Sequence, residues 1–151
     1  MSSAKSFTGG CLCGSVKYEY SGPPGDGVIC HCTHCRRYTG GIGSFNLGLE
    51  AAKMNWKSKD TLAQFVDSCD VGEGPRRWFC NKCGSPLATT LDYDKTPMFI
   101  KAGSIDNFDN VFPAVKAHLF VPDVSTAFKE NWNFQGQTLF KGMPGSEQVS
   151  I

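Results

Sequence analysis

The chain has 151 residues, room for one domain, and 40% of them are apolar, enough for a core. With 15 basic residues against 14 acidic ones there is no net field to draw nucleic acid or an anionic membrane. No apolar run approaches a membrane span, and the opening MSSAKSFTGG lacks a secretory apolar region, so a cytoplasmic protein with reduced cysteines is predicted.

Gly9-Gly10-Cys11-Leu12-Cys13-Gly14 opens the ordered part. Residues two apart on an extended chain share a face, so this C-x-C pair presents both sulfurs to one ion. Val16, Tyr18 and Tyr20 alternate with Lys17 and Glu19, the period of a half-buried strand. Segment 21–27, rich in proline and glycine, cannot continue it and reads as a loop. That loop leads into Cys30-His31-Cys32-Thr33-His34-Cys35-Arg36-Arg37. Phe45, Leu47 and Leu49 resume alternation, followed by strand-like pieces at 54–56 and 62–66. Segment 67–75 is polar and glycine-rich, a predicted loop holding Cys69. Next comes Cys80-Asn81-Lys82-Cys83-Gly84, a C-x-x-C-G turn of the kind found in zinc knuckles. Segments 86–91 and 98–102 read as strands. Val115, Ala117, Leu119 and Val121 alternate with Lys116, His118 and Phe120 on the opposite face. Only 35–38 and 125–130 suit helical turns, and the tail from Lys141 is predicted to fray. The expected fold is mainly β, with small antiparallel sheets and few short helices, in a single domain over residues 1–151 whose core spans about 8–135.

Seven of the eight cysteines fall into groups of two, three and two. A disulfide reading is poor for the middle group, because cysteines two apart rarely meet bridge geometry and three thiols leave one unpaired. Thiolates select soft or borderline ions, zinc foremost. The simplest partition joins Cys11, Cys13, Cys80 and Cys83 in a closed four-sulfur structural site and leaves Cys30, Cys32 and Cys35 together. That trio is either a second structural zinc, closed by His31, His34, Cys69 or a distant histidine, or an open zinc. Three thiolates around a divalent ion carry a net charge of minus one, so exchange of a sulfur or oxygen ligand is expected more than deep activation of water. Arg36 and Arg37 either offset that charge and hold a carboxylate or are solvated surface.

The motifs Gly-Gly-Cys11-Leu-Cys13-Gly, Cys30-His-Cys32-Thr-His-Cys35-Arg-Arg and Phe-Cys80-Asn-Lys-Cys83-Gly-Ser-Pro resemble the family of glutathione-dependent formaldehyde-activating enzymes, which includes centromere protein V. The resemblance spans residues 8–121. It implies a structural zinc on Cys11, Cys13, Cys80 and Cys83 and a catalytic zinc on Cys30, Cys32 and Cys35. It further implies a zinc-pinned β-tent, shared with methionine-R-sulfoxide reductases and Rab accessory proteins. The implied activity is that of a carbon–sulfur lyase acting on adducts of an aldehyde with a small thiol, S-hydroxymethylglutathione among them. His31, His34 and His118 are the candidates for proton transfer, with His118 also readable as a half-exposed strand residue. Cys69 is a candidate thiol beside the site or a plain loop cysteine. Phe45, Trp56, Trp78, Tyr38 and Trp132 read as core. Two competing functions remain: an interaction module with two structural zincs, lacking the basic extension that nucleic-acid binding needs, and a thiol redox enzyme with Cys69 as nucleophile, which withdrawal of the other thiolates onto zinc disfavours.

Overall fold

A computed structural model describes residues 6–68 and 73–151. The protein is mainly β, with small sheets and few short helices. Its chain divides into two compact units, one made of residues 1–25 and 47–113, the other of 26–46 and 114–151.

The first unit contains β1 (Ser6–Gly10), β2 (Lys17–Ser21) and β5 (Met54–Ser58), paired antiparallel in the order β1-β2-β5. The alternation in β2 is realised: Val16, Tyr18 and Tyr20 are buried, and Lys17 is exposed. An antiparallel meander follows, with β6 (Leu62–Ser68) paired to β7 (Glu73–Cys80), β7 to β8 (Pro86–Thr90) and β8 to β9 (Pro97–Lys101). Because β7 begins at Glu73, residues 73–75 are strand where a loop is predicted. Phe7, Tyr18, Tyr20, Leu47, Met98 and Ile100 head the apolar core of this unit. A smaller cluster of Val16, Cys80 and Leu87 lies beside Cys11 and Cys83. The cysteine groups at the ends of β1 and β7 thus sit on an apolar floor. The short helix α2 (Phe108–Val111) buries Val111 in the main core.

In the second unit β3 (Gly27–Cys30) pairs with β10 (Val115–Leu119), and β10 with β11 (Thr138–Leu139). Both pairings are parallel, a difference from the expected antiparallel arrangement. Parallel neighbours need a long connection, and the chain supplies one in each case. The β10–β11 connection carries α3 (Thr126–Lys129), which Ser125 caps by accepting from the Phe128 N–H at 3.2 Å. Between β3 and the shared strand β4 (Ser44–Glu50) lies α1 (Thr33–Thr39). In β4, Leu47 and Leu49 are buried but Phe45 is exposed and meets Trp132 edge-on. In the tail, the Lys141 N–H donates to the Glu147 carbonyl and the Val149 N–H to that of Leu139. No helix among the described residues is long and apolar enough to cross a membrane.

Candidate functional site

The four-cysteine group is assembled in the first unit by two tight turns. After β1 the chain doubles back, with the Cys11 N–H donating to the Val16 carbonyl at 3.0 Å and the Gly14 N–H to that of Cys11 at 3.1 Å. After β7 the Gly84 N–H closes the knuckle on the Cys80 carbonyl at 2.8 Å. Gly14 and Gly84 adopt φ of 79° and 78°, a left-handed region that strains any residue with a Cβ. These turns bring Cys11 Sγ to 3.6 Å from Cys13 Sγ, and Cys13 Sγ to 3.8 Å from Cys80 Sγ. A tetrahedron with zinc–sulfur bonds of about 2.3 Å has edges of about 3.8 Å. The sulfurs therefore have the spacing that a tetrahedral thiolate site requires.

Polar hydrogens converge on these sulfurs. The Val16 N–H donates to Cys11 Sγ at 3.2 Å, and the Thr61 hydroxyl lies 3.3 Å from Cys80 Sγ. The hydroxyl of Ser85 lies 3.2 Å from Cys83 Sγ and accepts from the Leu12 N–H at 2.9 Å, tying the two cysteine turns together. Hydrogen bonds from Ser85, through side chain and backbone, bring the Cys83 thiol down to about 5. At Cys80 burial works against ionisation, but the hydrogen bonds from Thr61, Cys83 and Lys82 outweigh it and lower the pKa. Burial dominates at Cys11 and raises it.

The three-cysteine group forms where β3 meets α1 in the second unit. Cys30 ends the strand, Cys32 is the N-cap of the helix and Cys35 lies in its first turn. Cys32 Sγ accepts the Cys35 N–H at 3.2 Å, so the cap is itself a cluster sulfur. The three sulfurs all lie within 4.8 Å of one another. The neighbouring thiols of Cys32 and Cys35, with burial, push Cys30 far above the ordinary thiol range. For Cys32 the Cys30 thiol acts downward, but Cys35 and burial prevail and raise it. Three thiolates crowded into this pocket repel one another unless a cation joins them, which is the chemistry of a metal site.

Both groups could hold a metal ion, and their all-sulfur donor sets fit zinc. Among the described residues no histidine, carboxylate or further cysteine joins the trio as a fourth ligand. His31 is fully buried and hydrogen-bonded to His118, their Nε2 and Nδ1 atoms 2.9 Å apart. Burial lowers the His31 pKa to about 4, helped by the charges of His118 and Arg36, and burial likewise lowers that of His118. His118 is therefore not the half-exposed residue its strand pattern suggests, since aromatic rings from 128–134 cover its face. His34 is exposed on α1, Arg36 half-buried and Arg37 exposed. Cys69 lies outside the described residues. Gln137, which is hydrogen-bonded to His118, and Trp132, which donates to Gln137, were not visible in the sequence as site residues. No spacing links them to the cysteine motifs.

The sequence model of the glutathione-dependent formaldehyde-activating enzymes matches residues 6–123, a span that contains all seven clustered cysteines. The chain belongs to this family. No individual curated protein matches it in sequence. Among solved structures it is similar to the crystal structure of a Rhodobacter sphaeroides protein, at 18% identity and a TM-score of 0.55, the match covering 66% of this chain and 88% of that one. At that identity the likeness shows a shared fold.

Proposed function

We propose that this family member is a zinc-dependent carbon–sulfur lyase acting on an adduct of a thiol with an aldehyde, such as S-hydroxymethylglutathione, in the cytoplasm. The supporting observation is the unequal division of the cysteines, four sulfurs in one group and three in the other. In this reading Cys11, Cys13, Cys80 and Cys83 hold a structural zinc, while Cys30, Cys32 and Cys35 hold a second one. A zinc with three protein ligands supplies an open position that takes a thiolate and polarises what it binds.

The chain's own residues define the rest. The Cys35 N–H directs one hydrogen bond to Cys32 Sγ, drawing off charge from the most accessible of the three sulfurs. Arg36, half-buried one residue beyond Cys35, offers a guanidinium to offset the negative cluster or to pair with a carboxylate of the thiol. In the cleavage direction the substrate hydroxyl gives up its proton, the carbonyl of the aldehyde forms, and the electron pair of the carbon–sulfur bond leaves with sulfur as thiolate. His34 is the exposed imidazole, and it takes this proton in our account, because burial disfavours the protonated forms of His31 and His118.

Metal counting beside turnover tests this. The protein is expected to carry two zincs, and Cys32→Ser to keep its fold and one zinc while losing turnover of glutathione hemithioacetals. His34→Ala should keep both zincs and lose about 100-fold or more in kcat. Two zincs with no turnover of any thiol–aldehyde adduct point instead to an interaction module.

A further inference from the structure

The imidazole of His31 emerges between two cluster cysteines, yet its contacts lie elsewhere. It meets Phe128 edge-on with ring centroids 4.6 Å apart, and its Nε2 lies 2.9 Å from His118 Nδ1. On the far side of His118, Nε2 lies 2.6 Å from Gln137 Oε1, which also accepts from Trp132 Nε1 at 2.9 Å. Gln137 Nε2 donates to the Asn133 carbonyl at 3.2 Å.

With both imidazoles neutral, only one arrangement of protons satisfies all of these bonds. An indole N–H can only donate, and the amide nitrogen of Gln137 is committed to a carbonyl, so the atom facing both Trp132 and His118 is the amide oxygen. His118 must then carry its proton on Nε2 and, as a neutral ring, present Nδ1 as an acceptor. His31 must donate from Nε2. Its own Nδ1 is left as a bare acceptor, buried and, among the described residues, without a hydrogen-bond partner. The direction of every bond is fixed from Trp132 and Gln137 back to the residue between Cys30 and Cys32.

We propose that this chain is a positioning device for the three-cysteine cluster: Trp132, Gln137 and His118 lock His31 in one tautomer and one orientation, and His31 fixes the main chain that sets the spacing of Cys30 and Cys32. The inference rests on reading Cys30, Cys32 and Cys35 as a metal site. Neither Trp132 nor Gln137 belongs to that cluster, and the His118 side chain is linked toward it by its hydrogen bond with His31. Groups that orient a metal's ligands from outside typically govern about 10–100-fold in affinity.

Cobalt(II) titration of the full chain against a competing chelator tests it, with His118→Phe and His118→Asn beside the wild type. Phenylalanine keeps a ring against Phe128, Trp132 and Phe134 but cannot accept from His31. Asparagine forfeits that packing but carries an oxygen near the place of Nδ1. The expected order is a loss of about 10-fold or more at the three-sulfur site for phenylalanine and a smaller loss for asparagine, with the four-sulfur site unchanged in both. Wild-type affinity in His118→Phe, or an equal or greater loss in His118→Asn, overturns the inference. Gln137→Met, a change at a half-buried position, serves if the His118 variants do not fold, and it should also weaken only the three-sulfur site. Nitrogen-15 spectra of the wild type should show both rings protonated at Nε2, and a proton on Nδ1 of either ring overturns the chain. A wild type that takes up a single cobalt defeats the metal reading and this inference with it. Two cobalts, with all variants alike, defeat the inference alone.

Discussion

Loss of the metal closure at each cysteine group should have very different consequences for stability, and the chain lengths between ligands say by how much. Cys13 and Cys80 are 67 residues apart, so a metal joining them closes a loop of that length. By analogy with a covalent cross-link of that span, such closure contributes about 4 kcal/mol. Cys30 and Cys35 are only five residues apart, and the same relation gives about 2 kcal/mol. Cys13 is exposed and Cys11 half-buried, so replacing both by serine leaves little cavity and removes every ligand on one side of that closure. Cys32→Ser places at the α1 N-cap a residue that caps well, so the helix start survives the change. Against the total of about 5–15 kcal/mol usual for small proteins, the double substitution leaves the fold marginal and Cys32→Ser does not. Urea unfolding of the zinc-loaded proteins, followed by tryptophan fluorescence, measures both costs, with the comparison valid while the slope against denaturant is unchanged. Cys11→Ser with Cys13→Ser should cost about twice what Cys32→Ser does. Equal costs, or the reverse order, would refute the assignment of the four-sulfur site to structure.

Two further outcomes follow from buried polar groups. The Tyr18 hydroxyl lies 2.8 Å from the Ser104 hydroxyl inside the main core, and burial raises its pKa above the ordinary value of 10. The unfolded chain then gives up this proton first, so stability is intact below pH 10 and falls as pH rises beyond it. Tyr18→Phe should flatten that alkaline limb in pH-dependent melting, and an unchanged limb would show that another group controls it. The Arg77 guanidinium pairs with Asp67 at 2.9 Å, with the two side chains only 5% and 12% exposed. Arg77→Met should cost about 3–5 kcal/mol in urea unfolding, because a nearly buried carboxylate loses its counter-ion. A cost below about 1 kcal/mol would place this pair among surface ion pairs.

The cysteine groups were legible in the sequence because side chains gathered by one tight turn must be close in the chain, and the seven cysteines lie in one group of four and one of three, as the spacing suggests. The strand alternation at Val16, Tyr18 and Tyr20 and the helical turns near Cys35 and Ser125 were legible for the same local reason. What escaped was non-local. The parallel pairing of β3 with β10 joins segments far apart in the chain, with no turn between them to announce it. His118 looked solvent-facing because its face of β10 alternates with apolar residues, but Phe128, Trp132 and Phe134 cover it from a later segment. Trp132 read as core and is instead a donor to Gln137. The tail carries glycine and proline, the usual marks of a loose end, yet it is held by backbone bonds to Leu139 and Phe140 that no local pattern encodes.

The central claim is that the metal held by Cys30, Cys32 and Cys35 keeps one coordination position for a thiol from outside the chain. Zinc-edge X-ray absorption of the fully loaded protein tests it directly, since seven cysteine sulfurs shared by two zincs average about 3.5 per ion. Addition of glutathione should raise that average to about 4. An average already at 4 without glutathione, or one that glutathione leaves unchanged, would contradict the account.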